Sequence, residues 1–479
     1  MHEFDARLAR DRWFDLKKSL RKIPGSICAP RGFKCGAVFC DIKKLGTGKG
    51  SEKGQKRDLA LIVSDVPAAV AGMFTTNQVC AAPVRISAQR VRQKSARAIV
   101  VNSGNANACT GGKGLRDADE MTRITAASLT TAARSAAVVG KLDRFNRSSR
   151  SAPISAGDVL VCSTGRIGVP MPMKNVARGI RDCVPKIARS VFAARGVAEA
   201  IMTTDTRRKE IAVEFEIGAE TVRIGGVCKG AGMIQPGMAT MLGFITTDAA
   251  IEPATLKRAL KIAVAQSFNR ITVDGDMSTN DSVIALANGL ARSQKIVING
   301  QKLDRLNRSS LPASSLDRFQ TALNYVCLEL AKMIVRDGEG VSRFVTLHLH
   351  GARNKNEAEV AARAIANSSL VRTSWCGGDP NWGRILCALG YSKARVDETC
   401  VDIGYARAGS RKILFAFRRG RPANLALKKL AQITSTPEFD LHVDLHLGAG
   451  EFVMYASDLT EQYVALNKGD VNDPKTLGG

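Results

Sequence analysis

The run Gly230-Ala-Gly-Met-Ile-Gln-Pro-Gly-Met-Ala-Thr-Met-Leu-Gly-Phe-Ile-Thr-Thr-Asp248 lies at the middle of a 479-residue chain and suits neither a helix nor a solvated loop. Three glycines and Pro236 precede Thr240, and both residue types disfavour a helix interior. Met241-Leu-Gly-Phe-Ile245 then reads as a short apolar strand. Two readings compete. The plain one is a glycine-hinged loop entering a strand. The chemical one is a bond built to be cut: with Gly237 and Ala239 leaving the carbonyl of Ala239 open, the Thr240 hydroxyl can attack it in an N-to-O acyl shift. Cleavage would give Thr240 a free α-amino group, of pKa about 7.7–8.0, to serve as base for its own hydroxyl.

Outward from this run, short β-branched segments alternate with longer helical ones, which predicts an α/β or α+β fold. Strands are expected at Leu59–Val63, Ala98–Asn102, Val159–Cys162, Ile211–Phe215 and Phe344–His348. Helices are expected near 115–134, 174–200, 253–266, 315–335 and 355–367, with Ser314 or Ser315 and Asn354 as caps. Residues 1–25 read as a basic, partly helical tail. Lys141-Leu-Asp-Arg-Phe-Asn-Arg-Ser-Ser149 recurs as Lys302-Leu-Asp-Arg-Leu-Asn-Arg-Ser-Ser310, and two such polar copies read as surface insertions, not as a solenoid.

Composition excludes several classes. With 45% hydrophobic and 24% charged residues the chain reads as globular, and no run approaches the roughly 18 apolar residues of a membrane helix. Its start carries Glu3, Asp5, Asp11 and Asp15 and lacks the pattern of a secretory or transit segment. Twelve cysteines without a Cys-x-x-Cys pair read as buried thiols of a reducing compartment, hence a cytoplasmic protein. A net charge of +26 invites a nucleic-acid partner, but aromatics are only 5% and no basic platform for stacking bases is visible. An acidic small-molecule substrate uses the same charge.

Five histidines leave little material for imidazole chemistry. His348 and His350 share one face of an expected strand, and His442, Asp444 and His446 follow a period of two that makes them a metal-ligand candidate, though without the helical zinc signature. The glycine-rich segments Asn102–Gly111 and Ser163-Thr-Gly-Arg-Ile-Gly168 match neither the P-loop nor the dinucleotide fingerprint. They place glycine beside small hydroxyl or amide side chains after a strand, which serves either an ordinary turn or backbone N–H groups aimed at an oxyanion.

Lys229-Gly-Ala-Gly-Met-Ile and Gly237 to Ala249 closely resemble the self-cleaving junction of the ornithine acetyltransferase family, the bifunctional glutamate N-acetyltransferases of arginine biosynthesis. The likeness continues through Phe74-Thr-Thr-Asn77, Met202-Thr-Thr-Asp-Thr206, Ser267 to Asp276, Ile334-Val-Arg-Asp-Gly-Glu-Gly340 and Asp379-Pro-Asn-Trp-Gly-Arg-Ile385, spanning about residues 30–467. The resemblance implies a two-layer β-sheet sandwich flanked by helices, with a second α/β domain. It also implies cleavage after Ala239 into chains 1–239 and 240–479, associated two and two. Thr240 would be the nucleophile, with Thr164 and Gly165 as oxyanion hole. Thr203, Lys229, Thr240 and Glu339 would line the substrate pocket. Asn467 matches the family's tail contact, while Asn472 stands where the family has Thr or Ser. The implied substrates are N2-acetylornithine and glutamate, with acetyl-CoA as a further donor in bifunctional members and no metal or redox cofactor. A hydrolytic relative using the same N-terminal nucleophile, and a basic nucleic-acid-binding protein, are the alternatives.

Overall fold

The computed structural model describes residues 19–43, 56–138, 153–235, 241–297, 314–424 and 427–469. Its first sheet contains β1 (Arg21–Lys22), β2 (Phe33–Val38), β3 (Leu59–Phe74), β4 (Ser95–Asn105), β5 (Val159–Arg166), β6 (Lys209–Ile217), β7 (Glu220–Lys229) and β8 (Leu242–Thr247). After the two-residue β9 (Ile271–Thr272), which belongs elsewhere, β10 (Ser282–Ala287) completes it. The order is β1-β6-β7-β8-β10-β3-β4-β5, with β2 also on β3.

The sixteen-residue β3 makes this one sheet into two layers. Its first half pairs with β2 and β4, and its second half with β10. Period-two alternation sends successive side chains to opposite faces. Thus Ile62, Ile99, Val101, Leu160 and Cys162 from one half meet Val227, Leu242, Phe244, Ile284 and Leu286 from the other in a shared inner core. The outward residues of the first half, Leu61, Val63, Val100 and Val161, join Met121, Val176 and Ile180 from the helices Gly111–Val138 and Met173–Cys183. Those of the second half, Val213, Ile224, Ile245 and Val283, pack on Leu260, Val326 and Leu330 from the helices Pro253–Ala265 and Ser315–Arg336. The expected helix-flanked sheet sandwich is present.

A second sheet, β14-β13-β12-β15-β11-β16-β9, is built from β11 (Phe344–Ala352), β12 (Asp402–Arg407), β13 (Leu414–Arg418), β14 (Arg421–Pro422), β15 (Glu438–Asp444) and β16 (Gly450–Ser457), with β9 at its edge. One face, through Val345, Leu347, Ile403, Leu441 and Met454, packs on the helices Lys355–Asn367, Ser369–Cys376, Trp382–Gly390 and Leu427–Thr434.

Five of the strands expected from the sequence lie inside observed ones, the one expected at Met241–Ile245 is β8 and begins at Leu242, and both expected caps are in place: Ser314 with Asp317 forms a capping box, and Asn354 accepts from the N–H of Glu357. Four expectations are corrected. The segment 174–200 is two helices, Met173–Cys183 and Val191–Ala200, because Pro185 lacks an N–H and Ser190 caps a fresh start. Residues Arg21–Lys22 of the tail form an edge strand on Val213 and Glu214, with an Arg21–Glu214 ion pair. β15 stops at Asp444, and His446 turns away at φ 52°. Among the twelve cysteines, seven are buried, but Cys109 and Cys387 are exposed. Both Asp-Arg-x-Asn-Arg-Ser-Ser copies lie outside the described residues, as do Ala239, Thr240 and Asn472. No helix among the described residues is long and apolar enough to cross a membrane.

Candidate active site

The parallel pair β4 and β5 ends with Gly104 beside Gly165. Gly165 sits at φ 131°, where a Cβ would lie 2.3 Å from the carbonyl carbon of Gly104, so only glycine fits. The turn is pinned by amides: Asn280 Nδ2 donates to the carbonyls of Ala106 (2.6 Å) and Ser163 (2.9 Å), and Ser163 Oγ donates to Asn102 Oδ1 (2.6 Å). Thr164, 5% exposed, is thereby held at a strand end with its neighbour's backbone laid bare.

Lys229 ends β7 with 3% of its surface exposed. Burial pushes its ammonium below the ordinary lysine value, against the pull of Asp205. Asp205 joins two parts of the site: Oδ1 accepts the N–H of Gly230 (2.7 Å), next to Lys229, and Oδ2 accepts the N–H of Thr203 (3.0 Å). Burial alone would raise the Asp205 carboxyl, yet the charges of Lys209 and Lys229 hold it well below the usual carboxylate range. Lys209 bridges two carboxylates, 2.6 Å from Asp205 and 2.5 Å from Asp337. Burial opposes the Lys209 charge, but the two aspartates outweigh it and raise its pKa. Asp337 in turn accepts the N–H groups of Thr206 (3.1 Å) and Arg207 (3.2 Å).

Two residues beyond Asp337, Glu339 donates its N–H to Ala231 (2.9 Å) and accepts from Asn467 Nδ2 (2.7 Å). A Cβ on Gly232 would fall 2.6 Å from the Glu339 carboxylate, so this glycine admits the acid to the site. Two more aspartates, the part-buried Asp274 and the buried Asp281, hold the described residues on either side of 236–240. Asp274 accepts the N–H groups of Met233 (2.5 Å) and Ile234 (2.8 Å), and burial pushes its carboxyl up to about 6. Asp281 accepts the N–H of Met241 (2.9 Å), and burial raises its carboxyl well above the usual range.

Thr164, Gly165, Thr203, Lys229, Glu339 and Asn467 therefore border one cavity of about 680 Å³. They come from β5, β7, the loop after the helix Val191–Ala200, the loop after the helix Ser315–Arg336, and the last described helix, Glu461–Asn467. Such a cavity suits a small zwitterion: an ammonium for a carboxylate, a carboxylate for an amine, and a hydroxyl and N–H for an oxyanion. The residues Asp205, Lys209, Asp337, Asp274 and Asp281 were not singled out from the sequence. Asp205, Asp337 and Asp274 do fall inside the runs quoted above. Lys209 gave only the signal of a lysine opening an apolar strand. Of the metal candidate set His442, Asp444 and His446, only the last two stay together, with His446 Nδ1 3.6 Å from Asp444 Oδ1 and His446 Nε2 3.1 Å from Asp402; His442 groups with His348 and His350 instead.

A family profile described as the ArgJ family matches residues 43–469. The chain belongs to the ArgJ family. It is 42% identical over 446 residues to an "Arginine biosynthesis bifunctional protein ArgJ" of Symbiobacterium thermophilum, covering 93% of this chain and 98% of that one. It is 40% identical over 455 residues to a "Glutamate N-acetyltransferase" of Methanocaldococcus jannaschii, covering 94% and 99%. A solved structure of ornithine acetyltransferase complexed with ornithine from Mycobacterium tuberculosis is 32% identical, covers 45% of this chain and 98% of that chain, and aligns with a TM-score of 0.36. The residues that line the cavity, from Lys43 to Lys468 in sequence, lie wholly within the ArgJ-matched span.

Proposed function

We propose that this chain cuts itself between Ala239 and Thr240 and then carries acetyl from N2-acetylornithine to glutamate on the Thr240 hydroxyl. As a member of the ArgJ family it is an acetyltransferase of arginine biosynthesis. The observation that carries the finer reading is the convergence of Thr164, Gly165, Thr203, Lys229, Glu339 and Asn467 on one cavity from five separate elements.

In the first half-reaction the Thr240 oxygen attacks the acetyl carbonyl while its proton passes to the Thr240 α-amine. Thr164 Oγ1 and the N–H of Gly165 receive the negative oxygen. The carbon–nitrogen bond to ornithine breaks as the α-amine returns the proton to the leaving nitrogen. Lys229 holds the substrate α-carboxylate as a point charge, and Glu339 receives the ornithine side-chain ammonium. In the second half-reaction the neutral amine of glutamate attacks the carbonyl of acetyl-Thr240, the bond to the Thr240 oxygen breaks, and the Thr240 α-amine passes the proton of the attacking nitrogen to that oxygen, releasing N-acetylglutamate and restoring the hydroxyl. No electrons are exchanged, so no redox cofactor is called for, and Thr164 with Gly165 takes the oxyanion-stabilising part that a metal plays in other acyl transfers.

Acetyl-CoA as a second donor, two copies of each product chain, and a cytoplasmic setting belong to the same reading; the word bifunctional in two relatives' names fits a second activity. The covalent intermediate has a kinetic signature. Double-reciprocal plots for N2-acetylornithine at several glutamate concentrations are expected to be parallel, and intersecting lines would rule out release of ornithine before glutamate enters.

A further inference from the structure

We propose that His348, His350 and His442, on the face of the second sheet away from its helices, bind a divalent cation of the zinc type. β11 and β15 run parallel with His348 paired to His442, so the two rings stack at 4.5 Å between centroids. His350, two residues along β11, points to the same face, with ring centroids 6.2 and 6.3 Å from the other two. A nitrogen of each ring lies within 4.8 Å of a nitrogen on both others.

Three further features point to a ligand. His442 Nε2 is buried without a hydrogen-bond partner, a cost that proteins seldom leave uncompensated. Glu451 stands 3.5 Å from His350 Nδ1, at the outer edge of the hydrogen-bond range in which carboxylates orient metal-binding imidazoles, and Asp440 stands 3.9 Å from His348 Nε2, just beyond it. The side chains of His348 and His350 remain 26% and 34% exposed, which gives an ion a path in.

The rings now stand nearly parallel, within 4–6°, so their lone pairs do not yet meet at a point. Zinc bonds of about 2.0–2.1 Å set tetrahedral nitrogens roughly 3.3 Å apart. Because χ2 of histidine is a broad torsion, loading would draw the nitrogens together by turning the rings about it. Three imidazoles favour zinc, nickel or copper over magnesium or calcium. None of the three histidines borders the cavity, so the ion would tie β11 to β15 and take no part in acyl transfer.

The test uses the full chain without a polyhistidine tag, freed of metal by a chelator and titrated calorimetrically with zinc chloride. One zinc per chain is expected, with a rise in melting temperature on loading. His348→Gln and His350→Gln, both at part-exposed positions, should each weaken binding roughly tenfold or more and remove the thermal shift. His446→Gln should leave both unchanged. Absence of zinc binding in the wild type, equal binding in the His348→Gln and His350→Gln variants, or loss confined to His446→Gln would overturn the proposal.

Discussion

Lys229 shows what the site asks of single residues. Its ammonium is taken out of water at the end of β7, which burial penalises. Asp205 offsets part of that penalty, but Asp205 is already paired with Lys209, so Lys229 keeps charge to offer a ligand. Replacing Lys229 by Met should raise KM for both acetylornithine and glutamate by about 10–100-fold, the worth of a charge-assisted contact. The pH dependence follows from the direction of the shift. A lysine held below its usual value of about 10.4 loses its proton at lower pH than a free one. KM should therefore begin to climb at a pH below 10.4, and steady-state kinetics over the alkaline range would show it. A KM flat up to that pH, or unchanged in the variant, would remove Lys229 from carboxylate binding. Glycines 165 and 232 work by subtraction: each leaves out a Cβ where a backbone carbon or a carboxylate must come close.

At the scale of elements, the sequence was most legible where local chemistry decides. The capping box at Ser314, with Asp317 three residues on, marks a helix start that the structure reproduces. Ser314→Ala should destabilise the chain by about 1 kcal/mol, seen as a lower urea midpoint at unchanged slope. An unchanged midpoint would mean that the cap adds nothing to this helix. Short β-branched runs likewise placed the five strands: four lie in the sandwich, where burial on both faces makes them largely apolar, and Phe344–His348 lies in the second sheet. Legibility failed where one residue overrides a pattern or where partners are distant. Apolar periodicity across 174–200 masked the break at Pro185. The alternation of His442, Asp444 and His446 concealed a left-handed residue at 446, while His348 and His442 meet only through the pairing of β11 with β15. Asp205, Lys209 and Asp337 form one buried network although 128 residues separate Lys209 from Asp337. No local window contains it. The turn at Thr164 and Gly165 was readable as one of two things, an ordinary turn or N–H groups aimed at an oxyanion; Thr203, Lys229, Glu339 and Asn467 were legible only through the family resemblance.

For the whole molecule, the sheet order has a consequence for cleavage after Ala239. The strands β8 and β10, which would fall in the second chain of the proposed cleavage, lie between β7 and β3, which would fall in the first. Six residue pairs join β7 to β8, from Ile224–Thr247 to Lys229–Leu242, and six join β10 to β3. The products would thus share one sheet and its cores, and should co-elute under native conditions at any dilution yet part in denaturant. The central claim is tested most directly by intact mass spectrometry of the wild type and of Thr240→Ala, each before and after incubation with N2-acetylornithine alone. The wild type should give two fragments broken after Ala239, with one acetyl group gained on the fragment that begins at Thr240, while the variant stays whole and unacetylated. A single uncut wild-type chain that still transfers acetyl at full rate, or acetyl carried by neither fragment, would contradict the account.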